Sequence, residues 1–114
     1  MRLANLHVEM YMQMMLARSF DWDGGNLAHC QKHGVSIAEI EALLGNDAAV
    51  IGPDPHGGEE RFRAAGQNAV GRAIFVVFTL RRIGATTSIR AISARYMHQN
   101  EASNYEQAIS RLRD

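Results

Sequence analysis

The chain contains few of the residues that mark specialised classes of protein. Its single cysteine, Cys30, excludes an internal disulfide, and a lone thiol in a chain of 114 residues suits a reducing compartment. No apolar run approaches the roughly 20 residues of a membrane-spanning helix, and the first residues lack the ordered parts of a signal peptide. We therefore predict a cytoplasmic protein that does not associate with a membrane.

Lysine is also scarce. Of the twelve basic residues only Lys32 is a lysine, and although twelve acidic residues bring the net charge to zero, residues 1–60 carry −6 and residues 61–114 carry +6. Arginine can bind a phosphate or a carboxylate through two parallel hydrogen bonds. The asymmetry favours a polyanion or an acidic protein as partner, and a surface that merely balances across the fold also accounts for it.

The remaining composition is that of one packed domain. Hydrophobic residues make up 46% of the chain and charged residues 21%. A chain of this length buries roughly two-thirds of the surface that it exposes when unfolded. We predict a single domain over residues 20–114, preceded by a methionine-rich extension over residues 1–19.

Capping residues place two helices early in this domain. Alternating apolar and acidic residues at 20–23 predict a half-buried strand, and the last of them can cap a helix over residues 24–33. Gly34 suits the left-handed conformation that ends a helix. The S-x-x-E spacing of residues 36–39 then predicts a capping box that opens a second helix, which ends near Gly45.

Short apolar segments separated by turn residues predict a sheet in the second half. The expected strands cover residues 47–51, 60–65, 72–78 and 88–96. The third is the most apolar and is expected to be buried on both faces, and residues 81–87 are expected to form the turn that follows it. Apolar residues at three- to four-residue spacing from Ala102 predict a last helix. The expected α+β fold has an N-terminal strand and two helices, an antiparallel meander sheet and a C-terminal helix.

Two arginines lie in the last predicted strand. Successive side chains of a strand point to opposite faces, so Arg90 and Arg95 are expected on opposite faces unless a bulge intervenes. An unpaired charge inside a strand is costly to bury. We therefore expect Arg90 to be a structural clamp, and Arg95, at the strand end, to be the functional residue.

Five ordered blocks of sequence resemble the BrnT family of toxins. They are residues 20–23 (F-D-W-D), 32–36 (K-H-G-V-S), 54–55 with 59–62 (D-P and E-E-R-F), 71–72 (G-R) and 92–95 (I-S-A-R). The resemblance implies a RelE-like fold and a toxin that cleaves free or ribosome-bound mRNA and so inhibits translation. Gly24–Leu27 depart from the family pattern, as do His98–Asn100, which replace an expected basic run.

The same resemblance implies a partner. A BrnA-type antitoxin, a ribbon-helix-helix protein, would neutralise the toxin. DNA would then be contacted only through the antitoxin, and a dimer within the complex is compatible with this arrangement.

Cleavage of RNA without a metal needs a base, an acid and cations that stabilise charge on the phosphoryl oxygens. The candidate catalytic residues are Lys32, His33, Glu60, Arg61 and Arg95, and the candidate RNA-binding residues are Arg63, Arg72 and His98. His33 and Glu60 are the candidates for proton transfer, although His33 can equally stabilise a helix end and Glu60 an ion pair. Neither a metal nor a cofactor is expected, because His29 and His33 have no further ligands at suitable spacing.

A second interpretation assigns the chain to another class of protein. The same arginine-rich surface suits a non-catalytic module that binds RNA or the antitoxin, such as an inactive toxin that acts as a co-repressor. Binding of RNA without cleavage would favour this interpretation over a ribonuclease.

Overall fold

A five-stranded sheet with two helices packed on one of its faces organises the chain. The computed structural model describes residues 19–45, 49–53 and 61–104. In chain order the elements are β1 (Ser19–Phe20), α1 (Gly24–Gln31), α2 (Ile37–Gly45), β2 (Ala49–Pro53), β3 (Phe62–Gln67), β4 (Ala73–Ile83) and β5 (Thr86–Tyr96). Residues 99–104 are helical. The predicted extension, apart from its last residue, and the end of the predicted last helix lie outside the described residues.

The predicted α+β fold is confirmed. The strand order in the sheet is β1-β5-β4-β3-β2; β2 to β5 form an antiparallel meander and β1 pairs parallel to β5. None of the described helices is long and apolar enough to cross a membrane.

The two helices begin at the predicted capping residues, and α1 ends slightly earlier than predicted. The Asp23 carboxylate accepts hydrogen bonds from the backbone N–H groups of Gly25 and Asn26, and Gly34 has a φ of 92°. Helix α1 ends at Gln31, two residues before the expected end, because the chain already turns there and the Gly34 N–H donates to the Gln31 carbonyl at 3.0 Å. The Ser36–Glu39 capping box forms as expected, with both reciprocal bonds present.

Three predicted strand features are wrong in detail. Strand β1 covers only Ser19–Phe20, because the chain beyond it turns to cap α1. Strands β4 and β5 continue through most of the expected turn, which shrinks to Gly84–Ala85, with Gly84 at a φ of 64°. The middle of β4 buries one face fully and the other only in part, since Val76 is inaccessible while Phe75 is half-buried.

The hydrophobic core lies between the two helices and one face of the sheet, here called the helix-side face. Cys30 of α1 and Leu43 of α2 pack with Val76 and Phe78 of β4. Gly66 of β3 allows the Leu43 side chain of α2 to pack closely on the sheet, because a Cβ atom at position 66 would lie 2.9 Å from the Leu43 Cγ. The opposite surface of the sheet is called the far face.

A bulge in β5 decides which residues share the far face. Val77 pairs with Ser93 and Phe78 with Ala91, so Ile92 is an extra residue in β5. The extra residue reverses the alternation beyond it. Arg90 and Arg95 therefore lie on the same face. Opposite faces were expected only in the absence of a bulge, and β5 contains one.

Asn26 joins α1 to the sheet. Its side chain is almost completely buried, accepts from the Asp23 N–H at 2.8 Å, and donates to the carbonyls of Asp21 and Ala91 at 2.9 Å each. All of these groups would otherwise need partners in a region that excludes water. Asn26 thus fixes the start of α1 to β5.

We expect Asn26→Ala to lower the free energy of unfolding by about 2 kcal/mol or more, because it leaves one N–H and two carbonyls without their partner. Chemical denaturation measures the change. Asn100→Ala is the matched control, since Asn100 is exposed in a helical segment. Equal stability of the two variants would contradict the role given to Asn26.

Candidate functional site

Several candidate functional residues lie at the end of the sheet where β4 begins and β5 ends. Arg72 directly precedes β4, Tyr96 is the last residue of β5, and Ile74 of β4 pairs with Tyr96. The turn after α1 reaches the same place, because the Tyr96 hydroxyl lies 3.5 Å from the Gly34 carbonyl oxygen. We call this group the strand-end cluster. Its members are Lys32, His33, Glu39, Arg72 and Tyr96.

Tyr96 is held at both ends of its side chain. Its ring packs against the core, and its hydroxyl donates to the Glu39 carboxylate, whose oxygens lie 3.0 and 2.9 Å away. The same carboxylate accepts from the Asn68 amide and from the Ser36 N–H, each at 3.0 Å. These hydrogen bonds, that of Asn68 first, lower the pKa of Glu39 from 4.5 to about 2. The Glu39 carboxylate in turn raises the pKa of Tyr96.

Arg72 lies over the Tyr96 ring. Its guanidinium carbon is 3.7 Å from the ring centroid, the distance of a stacked cation–π pair. Its backbone N–H donates to the Asn68 side-chain oxygen at 2.8 Å, so the turn before β4 fixes where the side chain starts. Arg72 is exposed, as are Lys32 and His33. Arg72 is therefore an exposed cation, and the exposed Lys32 and His33 directly precede Gly34, whose carbonyl reaches Tyr96.

Arg95 lies next to this cluster but on the far face, where it is engaged by a carboxylate. Two of its nitrogens donate to the two Glu101 oxygens at 2.8 Å each, and its guanidinium lies 5.0 Å from the centroid of the Phe75 ring. The His98 N–H also donates to Glu101 at 3.1 Å. The Arg95 hydrogen bonds lower the pKa of Glu101 from 4.5 to about 2, and they raise the pKa of Arg95. The exposed His98 follows β5 by two residues.

Arg90 is bound to the start of the domain, as expected of a structural clamp. It donates to both Asp23 oxygens at 3.0 and 3.1 Å and approaches an Asp21 oxygen at 3.4 Å. Its side chain is only 14% exposed. The hydrogen bond from Arg90 is the main reason that the pKa of Asp23 is lowered. This ion pair ties β5 to the cap of α1.

The remaining predicted arginines lie farther along the sheet. Arg63 pairs with Val77 on the far face, and its Nε is buried without a hydrogen-bond partner among the described residues. Arg61 precedes Phe62, which lies opposite Phe78. Arg95 lies opposite Phe75, so Arg61 and Arg95 are about 14 Å apart along the strand direction.

The structure thus divides the predicted site residues between two places. Arg72 and the turn that bears Lys32 and His33 lie at the strand-end cluster, whereas Arg63 and Arg95 share the far face. Glu60 lies outside the described residues, and no group of three or more His, Cys, Asp or Glu side chains in the described ranges is arranged to hold a metal.

Sequence reasoning missed Tyr96 and Glu39 as members of the site. Tyr96 directly follows the I-S-A-R block, and this position in the sequence could have indicated that it belongs to the site. Glu39 was interpreted only as a capping residue, and its second role depends on residues 29 and 57 positions away in the chain.

Comparison with known proteins identifies the family. A family model described as "Ribonuclease toxin, BrnT, of type II toxin-antitoxin system" matches residues 22–101. The class is therefore that of the ribonuclease toxins, which act on RNA and have an antitoxin partner. The chain belongs to the BrnT family. A search of curated proteins finds no match.

The Glu39 hydrogen bonds make stability depend on pH. Because the pKa of Glu39 falls from 4.5 to about 2 on folding, its contribution is complete above pH 4.5 and is lost as the pH falls toward 2. We expect Glu39→Gln to destabilise the protein at neutral pH and to flatten part of this acid-induced loss. Thermal unfolding at neutral pH and at a series of pH values between 4.5 and 2 measures both effects.

Glu41→Gln is the matched control, on the same helix. Glu41 accepts from the Trp22 indole at 2.9 Å, a bond that the glutamine oxygen can keep. A Glu39→Gln protein with the stability and acid profile of the wild type would contradict the assignment.

Proposed function

We propose that this chain is a metal-independent endoribonuclease that inhibits translation by cutting free or ribosome-bound mRNA in the cytoplasm, with residues 20–114 as its single toxin domain. The observation that carries the proposal is the strand-end cluster. An anchored, exposed Arg72 lies there beside the turn that bears Lys32 and His33. Cations and a proton acceptor at one surface are what cleavage of a phosphodiester without a metal requires.

His33 is the proposed base. It takes the proton from a ribose 2′-OH, the 2′-oxygen attacks phosphorus, and the bond to the departing 5′-oxygen breaks as that oxygen receives a proton. Glu60 is the proposed acid. The products are a 2′,3′-cyclic phosphate and a free 5′-hydroxyl. Lys32 and Arg72 stabilise the charge that develops on the phosphoryl oxygens.

The other predicted arginines are proposed to act with the cluster. Arg61 and Arg95 are assigned to transition-state stabilisation, and Arg63, with His98 and Arg72, to binding the RNA backbone. Arg95 can bind a phosphate only if it shares or releases the Glu101 carboxylate. A phosphate and Glu101 therefore compete for the same donors.

We expect the wild type to cleave single-stranded RNA in the presence of EDTA. His33→Ala should slow cleavage about 100-fold or more, because it removes the base, and Arg95→Ala should slow it by removing a cation from the transition state. Arg82→Ala, an exposed arginine near the β4–β5 turn, should cleave as the wild type does. Gel analysis of end-labelled RNA measures the rates.

Loss of cleavage in EDTA and its return with added Mg²⁺ would refute metal independence. Wild-type rates for His33→Ala would remove that residue from the mechanism. Absence of cleavage by the wild type, with ribosomes also supplied, would refute the ribonuclease.

One observation favours the second candidate, a non-catalytic co-repressor. The bidentate Glu101 pair leaves Arg95 neutralised, and such a pair is a structural element in many proteins. This candidate predicts RNA binding that weakens steeply with salt and is not followed by cleavage.

The proposed partner is a BrnA-type ribbon-helix-helix antitoxin. The arginines of the far face would bind acidic residues or an added strand of the antitoxin, and DNA would be contacted only by the antitoxin. A dimer of toxin within the complex is part of this proposal.

We expect the toxin to co-elute with the antitoxin encoded beside it in gel filtration. Arg63→Glu should weaken the complex at least tenfold, since it places a like charge against an acidic segment, whereas Arg82→Glu should not. Retention of full affinity by Arg63→Glu would move the antitoxin away from this face, and failure of the wild type to co-elute would refute the partner.

A further inference from the structure

The strand-end cluster is built in layers from the core outward. The Tyr96 ring packs on the hydrophobic core, the Arg72 guanidinium covers the ring at 3.7 Å, and Arg72 is exposed to solvent. A guanidinium in contact with a ring through one face has its second face available. That second planar face is the outermost layer.

One carboxylate fixes both members of this stack. Glu39 accepts from the Tyr96 hydroxyl and from the Asn68 amide, and the Asn68 side-chain oxygen accepts from the Arg72 N–H. The ring and the start of the arginine side chain are therefore held relative to one another before any ligand arrives. A preorganised surface loses less conformational entropy on binding.

Arg72 differs from Arg90 and Arg95 in the groups that its guanidinium contacts. Arg90 and Arg95 are each paired with carboxylates. Across the described ranges, no carboxylate pairs with the Arg72 guanidinium, which instead contacts the Tyr96 ring. An aromatic ring in place of an acidic partner leaves the charge and the planar surface of Arg72 available to a ligand.

We propose that the Arg72–Tyr96 stack is a base-binding subsite, in which one unpaired nucleobase of single-stranded RNA stacks on the outer face of the Arg72 guanidinium. Nucleobases stack on aromatic side chains and on guanidinium planes, and single-stranded RNA exposes them for this purpose. The subsite rests on the proposed function, since it needs RNA at the strand-end cluster. It assigns Arg72 to a base, and not solely to a phosphate.

The test combines a protein variant with a change in the ligand. The probes are oligoribonucleotides of about eight residues, fluorinated at every 2′ position so that they lack the attacking hydroxyl, each with an abasic residue at a different position. Fluorescence anisotropy gives the Kd values. For the wild type, one abasic position should weaken binding about tenfold, the effect of losing one stacked base.

Arg72→Lys separates stacking from charge, because lysine keeps the charge but has no planar surface. We expect it to bind the intact oligonucleotide about tenfold more weakly and to show no further loss at the sensitive abasic position. Tyr96→Phe should keep most of the abasic effect and Tyr96→Leu should lose it. Arg82→Lys is the control and should behave as the wild type.

The outcomes separate this inference from the proposed function. An abasic effect that persists in Arg72→Lys, or equal binding of all abasic oligonucleotides, would overturn the subsite even if the wild type cleaves RNA. The expected coupling without any cleavage would support the subsite and count against the ribonuclease. Failure of the folded wild type to bind any oligonucleotide would also overturn the subsite.

Discussion

Ile92 of β5 has no partner on β4, and the faces of the sheet on which Arg95 and Tyr96 lie depend on that bulge. Before it, Ile89 and Ala91 face the helices; after it, Ala94 and Tyr96 do. Without the extra residue, the end of β5 would present its side chains to the opposite faces. The bulge thus puts Tyr96 under Arg72 and leaves Arg95 on the far face.

Glu39 links this arrangement to the helices. As a capping residue it closes the start of α2, and the same carboxylate binds Tyr96 at the end of β5 and Asn68 in the turn before β4. Three segments distant in sequence therefore meet at one acceptor. Its pKa is lowered to about 2, so the fold stabilises the ionised form of this carboxylate. The hydrogen bonds that hold the candidate site together therefore also stabilise the fold.

The two groups of basic residues differ in how their charge is satisfied. On the far face Arg90 and Arg95 are held by carboxylates, which stabilise the sheet and its connection to α1 and to residues 99–104. At the strand-end cluster Arg72 is supported by an aromatic ring, which positions it without cancelling its charge. This contrast is the reason that the cluster is the stronger candidate for contact with RNA.

The sequence by itself determined the features that depend on neighbours along the chain. The cap at Asp23, the glycine at position 34, the Ser36–Glu39 box and the apolar strands all follow from local chemistry, and they sufficed for the α+β fold. The blocks of residues that resemble the BrnT family likewise identified the family. Only the tertiary structure decided that Arg90 and Arg95 share a face, that Glu101 engages Arg95, and that Tyr96 supports Arg72. The first depends on strand register, which one inserted residue reverses, and the others on contacts between segments that no local pattern brings together.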